Sequence, residues 1–266
     1  MGGVSNKAIE IKILTKQNER QLEMKNQEVR QDLPQCWKDV QDALNAGIDR
    51  IILFGPPGTG KTFAGLNYGD ITAGAFRLIC TEDMSNAQVE GHYKMNGEGG
   101  WSWTDGKAVS AWKGDGLRGG RLVIDEIDKA GADVFATLLA FTDSPESAKW
   151  ESPDNGRTIT PKDGFSVVMT TNIETMEELP EALKDRFPVA IRINQPHPDA
   201  LLKLSADLRE YAVRMADAGE RRISLRTFYA FDQLRKTLGD KDGARLVFGK
   251  QAESVLDAIA INKVAV

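Results

Sequence analysis

Residues Gly55–Thr62 read Gly-Pro-Pro-Gly-Thr-Gly-Lys-Thr, directly after the apolar run Ile51-Ile52-Leu53-Phe54 and before a helix-compatible stretch, Phe63–Tyr68. The pattern GxxxxGK[ST], with a buried strand on one side and a helix on the other, leaves few folds open. Its glycines let the backbone curl so that successive N–H groups face inward, a nest for phosphate oxygens at a helix N-terminus. In such a P-loop Gly55, Pro56, Pro57, Gly58, Thr59, Gly60, Lys61, Thr62 and the following Phe63 are the expected nucleotide contacts. Lys61 is placed to reach the β- and γ-phosphates, and the Thr62 hydroxyl to take one position on Mg²⁺. The competing reading is a glycine-rich turn without a ligand, which the flanking strand and helix disfavour.

Apolar strands and helices alternate on either side of this loop. The pattern predicts a helix over Pro34–Ala46, ended by Gly47, with Cys36, Trp37, Val40 and Leu44 on one face. It predicts strands over Ile51–Phe54, Phe76–Cys80, Leu122–Ile124, Phe165–Thr171 and Val189–Ile193, and helices over Lys61–Tyr68 and Ala132–Phe141. Fully apolar strands alternating with helices imply an α/β fold, the P-loop NTPase arrangement of a parallel sheet flanked by helices. Ligands of such sheets bind at the carboxyl ends of the strands, where the P-loop falls.

After Pro196 and Pro198 the periodicity becomes helical throughout. Leu201, Leu204, Leu208, Tyr211 and Met215 form one apolar stripe. Ser224 reads as the N-cap of a helix carrying Leu225, Phe228, Phe231, Leu234 and Leu238 and stopped by Gly239. A last helix is expected from about Gln251 to Ile261. The expected division is an N-terminal extension over 1–33 with a short strand around Ile9, Ile11 and Ile13, a large α/β domain over 34–196, and a small all-helical lid over 197–266.

Composition narrows the class. With 41% apolar and 27% charged residues the chain reads as globular, and a net charge of −5 gives no electrostatic case for nucleic acid. Two cysteines make no disulfide framework. No stretch approaches the roughly 20 apolar residues of a membrane helix, and the N-terminus lacks a signal peptide's apolar core. The expectation is a soluble, cytoplasmic protein without membrane partners. His92 and His197, far apart, do not suggest zinc; Mg²⁺ carried in by a nucleotide is the metal to expect.

Three further segments end in groups suited to a phosphoryl site. Arg121-Leu122-Val123-Ile124-Asp125-Glu126 is an apolar strand closed by two carboxylates. Successive strand residues face opposite ways, so Asp125 can hold Mg²⁺ through water while Glu126 polarises the water that attacks the γ-phosphate. An acidic cap of a following helix is the bland alternative. Asn172, ending the strand Phe165–Thr171, can bond the γ-phosphate or position that water, or simply form a turn. Arg186, in Leu183-Lys184-Asp185-Arg186-Phe187, is either a helix C-terminal cation or a guanidinium for a neighbouring subunit's phosphate. Arg226, two residues after Ser224, sits where a helix dipole disfavours a cation unless an anion faces it. Adenine contacts are expected from backbone and apolar groups near Ile48–Arg50 and from the lid.

The order of these segments resembles that of AAA+ ATPases over roughly residues 36–240. Gly91-His92-Tyr93, Gly119-Gly120 and Asp185-Arg186-Phe187 resemble the MoxR-like, dynein-related branch, which includes nitric-oxide-reductase, Rubisco-activating and gas-vesicle ATPases. The resemblance implies that Gly55–Thr62 is the Walker A loop and Asp125 with Glu126 the Walker B pair. It also implies that Asn172 is sensor 1, Arg186 a trans-acting arginine finger and Arg226 sensor 2. It further implies a chaperone-like ATPase, usually a hexameric ring with ATP and Mg²⁺ at subunit interfaces, acting with a von Willebrand factor A-domain partner on a protein client. The first 33 residues match no motif of that family.

Between the second strand and the acidic strand lies a glycine- and tryptophan-rich insert. Gly97, Gly99, Gly100, Gly106, Gly114, Gly116, Gly119 and Gly120 fall within 24 residues, with Trp101, Trp103 and Trp112 among them. Trp101 and Trp103 alternate as on one strand face, and Ala108–Trp112 is a hairpin arm or a short helix. These tryptophans either fasten a loop to the core or, as the resemblance implies, face a pore and its client. A second hairpin is expected over Lys149–Lys162 around Asp154-Asn155-Gly156. Two rival functions remain beside the remodelling ATPase: a restriction-type nucleic-acid NTPase, and a nucleotide-gated assembly scaffold without turnover.

Overall fold

The computed structural model describes residues 33–97, 99–219 and 222–264, so the strand expected around Ile9–Ile13 and most of the extension lie outside it. Helix α1 (Gln35–Asn45) leads into β1 (Arg50–Phe54), the P-loop and α2 (Lys61–Asn67). Strand β2 (Ala75–Ile79) is followed by a hairpin of β3 (Gly91–Met95) and β4 (Trp101–Asp105), then α3 (Lys107–Lys113) and β5 (Arg121–Asp125). Helix α4 (Ala132–Phe141), a two-residue-arm hairpin of β6 (Trp150–Glu151) and β7 (Thr158–Ile159), β8 (Ser166–Thr170), α5 (Glu181–Arg186) and β9 (Val189–Arg192) complete this part.

Five strands form one parallel sheet in the order β2-β5-β8-β1-β9. The pleat divides its apolar residues between two cores. Ile52 and Phe54 of β1 join Leu122, Ile124, Val167 and Met169 beneath α3 and α4. Ile51 and Leu53 face the other way, with Val168 and Ile191, against Trp37 and Val40 of α1 and Ala64 of α2. Gly65 lets helix α2 pack directly on the sheet; a Cβ there would sit 3.1 Å from Val123 and 3.2 Å from Val168. Cys80 is fully buried just past β2, and burial, followed by the nearby carboxylates, pushes its thiol up to about 12. It is a packing residue, not a nucleophile.

Beyond Gln195 the described residues are helical: α6 (Pro198–Leu201), α7 (Ala206–Ala216), α8 (Leu225–Leu238), α9 (Asp240–Phe248) and α10 (Ala252–Val264). They share a separate core of Leu208, Phe228, Phe231, Ala244 and Ile259. Two expectations need correction. The stripe Leu201–Met215 is not one helix: the chain breaks after Leu201, and the Ser205 N–H donates to Asp232 Oδ2 at 3.0 Å before α7 begins. Helix α9 escapes notice in the sequence because Gly243 reads as a breaker; here it lets α9 pack on α8, its Cβ position 3.1 Å from the Arg235 backbone. As expected, Ser224 caps α8, accepting from Thr227 N–H at 3.2 Å. No helix among the described residues is long and apolar enough to cross a membrane.

The glycine-rich insert divides. Segment 107–113 is a helix, and Trp112 is buried against Phe141 with its Nε1 donating to the Phe141 carbonyl at 3.1 Å. The Trp103 ring meets Tyr93 edge-on at 5.1 Å and Trp150 at a tilt at 6.0 Å, tying the β3–β4 hairpin to the β6–β7 hairpin. Trp101 and its cross-strand partner Met95 remain 66% and 68% exposed. The expected turn at Asn155-Gly156 is present, Gly156 taking φ 65° and its N–H donating to the Ser152 carbonyl at 2.8 Å.

Candidate active site

At the carboxyl ends of β1, β5 and β8 a cavity of about 570 Å³ opens between the sheet and the C-terminal helices. Its floor is the P-loop. Gly55, Gly58 and Gly60 take φ of 115°, 80° and 112°, the left-handed region in which a side chain is strained. Space is short as well: a Cβ on Gly55 would lie 2.9 Å from the Ile193 carbonyl, and one on Gly58 3.2 Å from Ser224 Cβ. The loop is thereby shaped by β9 and α8 together with its own sequence.

Lys61 begins α2 with its ammonium turned back into the loop. Nζ donates to the carbonyls of Gly55 and Pro56, each at 2.8 Å, and to Asn172 Oδ1 at 3.1 Å. Burial pushes its pKa down to about 8, against the opposing pull of Asp125. A cation held at such cost, at a helix N-terminus and under a cavity, fits an incoming polyphosphate.

Thr62 donates its hydroxyl to Asp125 Oδ1 at 2.7 Å, and the buried Thr170 hydroxyl donates to the same oxygen. Burial pushes the Asp125 carboxyl up, but the hydroxyls of Thr170 and Thr62 and the Arg77 guanidinium outweigh it, leaving the group below the usual carboxylate range. A hydroxyl oxygen and a carboxylate are hard donors suited to Mg²⁺, with the remaining positions left to phosphate and water. The residues therefore fit a magnesium-bound nucleotide.

Glu126 follows in a conformation that strand alternation does not foresee. Strand β5 ends at Asp125, and Glu126 has φ 58° and ψ 48°, the single non-glycine residue at positive φ among those described. A left-handed turn, not the pleat, therefore sends the two carboxylates different ways. Such a conformation costs about 1–3 kcal/mol and persists where surrounding structure enforces it, often at functional sites. Asn172 Nδ2 donates to Glu126 Oε1 at 3.4 Å while its oxygen accepts from Lys61, so one amide joins carboxylate and ammonium.

Arg226, in the first turn of α8, lines the cavity from the C-terminal helices, and Phe63 lines it from α2. Arg186 is not among the lining residues. It ends α5, with Nη1 donating to the Ala182 carbonyl at 3.1 Å and Nη2 to Asp143 at 3.4 Å, while its Nε is buried without a partner. The structure thus gathers Lys61, Thr62, Asp125, Glu126, Asn172 and Arg226 at one cavity and leaves Arg186 outside it.

A sequence model of the AAA domain, dynein-related subfamily, matches residues 50–187, just over half of the 266-residue chain. The chain belongs to this family. Among curated relatives, the Lon protease of Desulfovibrio desulfuricans is 28% identical over 144 residues, covering 51% of this chain and 15% of that protein. The ATPase family AAA domain-containing protein 3A homolog of Drosophila melanogaster is 27% identical over 198 residues, covering 70% of this chain and 28% of that protein. The chain therefore spans under a third of the length of these relatives. A crystal structure from Cytophaga hutchinsonii, named there only a candidate ATPase, aligns with 97% of this chain and 77% of its own at 20% identity and a TM-score of 0.46.

Within this AAA domain, of the adenine contacts expected near Ile48–Arg50 and from the lid, the first group does not line the P-loop cavity. Ile48 and Asp49 line a different cavity, and Arg50 opens β1 with its guanidinium on the Thr142 and Asp143 carbonyls at 3.0 and 2.6 Å. Residues 48 and 49 precede β1 and Arg50 opens it, whereas the P-loop follows it, so they lie at the amino end of the strand, away from the P-loop. The aromatic wall beside the P-loop is built instead from Trp37, Tyr68, His197 and Tyr229. The His197 ring lies 5.2 Å from Trp37 and 5.5 Å from Tyr68, and its Nδ1 accepts from Asp199 N–H at 3.2 Å. Arg77 on Asp125 and the Thr170 hydroxyl were also missed. Thr170 offers a signal, a hydroxyl at the end of an apolar strand; Arg77 offers none.

Proposed function

We propose that this chain is a magnesium-dependent ATP hydrolase of the MoxR-like kind, which works as a ring and uses turnover to remodel or activate a protein client. The carrying observation is the convergence of Lys61, Asn172 and Glu126 beside the Thr62–Asp125 pair at one cavity. The P-loop N–H groups and the Lys61 ammonium would bind and orient the triphosphate. Thr62 and Asp125 would hold Mg²⁺, which neutralises developing phosphate charge. Glu126, fixed by its backbone and by Asn172, would orient water and take its proton. Asn172, bonded to both Lys61 and Glu126, would register loss of the γ-phosphate.

Arg226 reaches the same cavity from the C-terminal helices, so product formation would alter what holds them to the sheet. The position of Arg186 outside the cavity supports use by a neighbouring protomer. Its unpartnered Nε supports a guanidinium not yet in its working contact. Exposed Met95 and Trp101 on the β3–β4 hairpin support a protein client there, and a von Willebrand factor A-domain partner and cytoplasmic setting go with the same reading.

Phosphate release from ATP by wild-type protein, with and without EDTA, tests the reading alongside Glu126→Gln and Arg186→Ala. Glu126→Gln should retain nucleotide and lose about 10²–10⁴-fold in turnover. Arg186→Ala should lose turnover while keeping binding, and native mass measurement with nucleotide should show a ring. A wild-type protein that binds ATP without hydrolysing it would leave the scaffold reading standing instead.

A further inference from the structure

The carboxylate of Asp125 is saturated. Oδ1 accepts from the Thr62 hydroxyl at 2.7 Å and from the Thr170 hydroxyl; Oδ2 accepts from Arg77 Nε at 3.2 Å and from Arg77 Nη2. A carboxylate offers about four lone-pair directions, so none remains for a metal-bound water. The two hydroxyls are compatible with a cation. Thr62 can keep its proton on Oδ1 and turn an oxygen lone pair outward, and Thr170 anchors from the buried side. Arg77 is not compatible, because a positive guanidinium fork covers the oxygen that would face a divalent cation's hydration shell.

Arg77 is also placed to leave. It rises from the middle of edge strand β2, in register with Val123, and crosses to the strand end to reach Asp125. Its side chain is 43% exposed, against 8% for Asp125, and it lines the same cavity as Lys61 and Thr62. A buried anion paired to a half-exposed cation can exchange that partner without the anion moving.

We propose that Arg77 is a resident counter-ion standing in the metal's place: it neutralises Asp125 in the metal-free protein and must be displaced when Mg²⁺ enters with the nucleotide. The inference rests on the magnesium-nucleotide reading above and names the residue against which the metal competes. Two opposite effects follow. Without metal, Arg77 shields an incoming polyphosphate from the Asp125 charge and so supports binding. With metal, it opposes binding, because its ion pair has to be broken first.

Titration of the full chain with the non-hydrolysable analogue AMP-PNP, in EDTA and in excess Mg²⁺, separates these effects. Mn²⁺ affinity of the protein–AMP-PNP complex, read by electron paramagnetic resonance, is the second measurement. Arg77→Ala should weaken metal-free AMP-PNP binding about tenfold and tighten Mn²⁺ binding about tenfold, the factor expected for one charge-assisted contact. Arg77→Lys, which keeps the charge and loses the fork, should fall between and carries the comparison if the alanine variant unfolds. Equal weakening with and without metal would make Arg77 an ordinary phosphate ligand and overturn the proposal. So would unchanged affinities in both conditions. Wild-type protein that binds AMP-PNP in neither condition would overturn the nucleotide reading itself, and this inference with it.

Discussion

The two ends of α2 present the same kind of side chain to opposite purposes. At the N-terminal end Lys61 lines an open cavity, its ammonium turned back onto the Gly55 and Pro56 carbonyls of the P-loop. At the C-terminal end Arg121, only 4% exposed, reaches from β5 to close the helix. Its Nη1 donates to the carbonyls of Tyr68 and, at 3.4 Å, Gly65; Nη2 donates to Asp70 O at 3.3 Å, and Nε to Ser166 Oγ at 3.2 Å. A second cavity of about 470 Å³ adjoins that end, and it too is lined by charged groups. Cavity size and charge do not distinguish the two ends. Helix polarity does: exposed N–H groups at one end call for an anion from outside, while orphan carbonyls at the other are satisfied by an internal cation.

The comparison predicts a crossover between two variants. Lys61→Ala should lower ATP affinity by about a hundred- to a thousandfold, as expected when one partner of a buried charge pair is removed. Its chemical-denaturation midpoint should fall little, because the ammonium is held at a desolvation cost. Arg121→Met should do the reverse, losing about 3 kcal/mol of unfolding free energy by leaving buried carbonyls without donors, with ATP affinity within about twofold of wild type. If Arg121→Met impaired binding as much as Lys61→Ala, the distinction between the two ends would be broken.

Smaller effects sharpen it. Gly55→Ala, whose Cβ would meet the Ile193 carbonyl at 2.9 Å at φ 115°, should cost about 1–3 kcal/mol in denaturant titration. The corresponding change at Gly47, which has φ 76° but nothing within 4 Å, should cost less, since strain there comes without a clash. The smallest effect concerns pH. Burial holds His197 below its ordinary 6.5, against the opposing charge of Asp199. The folded state therefore prefers neutral imidazole, so this stabilisation is present above about pH 6.5 and is lost as pH falls through the lower folded value. Unfolding free energy measured across that window should decline less steeply in His197→Asn than in wild type.

Much of the candidate site is legible because its groups sit at strand ends within local motifs. Lys61 and Thr62 follow β1, Asp125 and Glu126 follow or end β5, and Asn172 follows β8, so parallel pairing alone brings them to one edge. What is not legible comes from side chains that travel. Arg77 occurs mid-strand, where a lone Arg reads as a solvated edge, and only its path along β2 reveals Asp125 as its partner. Trp37, Tyr68, His197 and Tyr229 come from four separate segments and form a wall only after α1, α2 and the C-terminal helices dock. Residues 48–50 are close to the P-loop in sequence but do not line its cavity, because the five-residue strand β1 runs between them.

The chain's own residues determined the P-loop, the parallel sheet, the capped helix after Ser224 and the chemistry at each strand end, because these depend on short-range backbone preference and on the period of apolar residues. Tertiary structure alone decided which charges are satisfied inside the protein and which are left facing a cavity. It also decided that Glu126 leaves its strand through a left-handed turn. Those outcomes depend on where carbonyls, hydroxyls and guanidinium groups from distant segments come within about 3 Å of one another, a distance that no local pattern encodes.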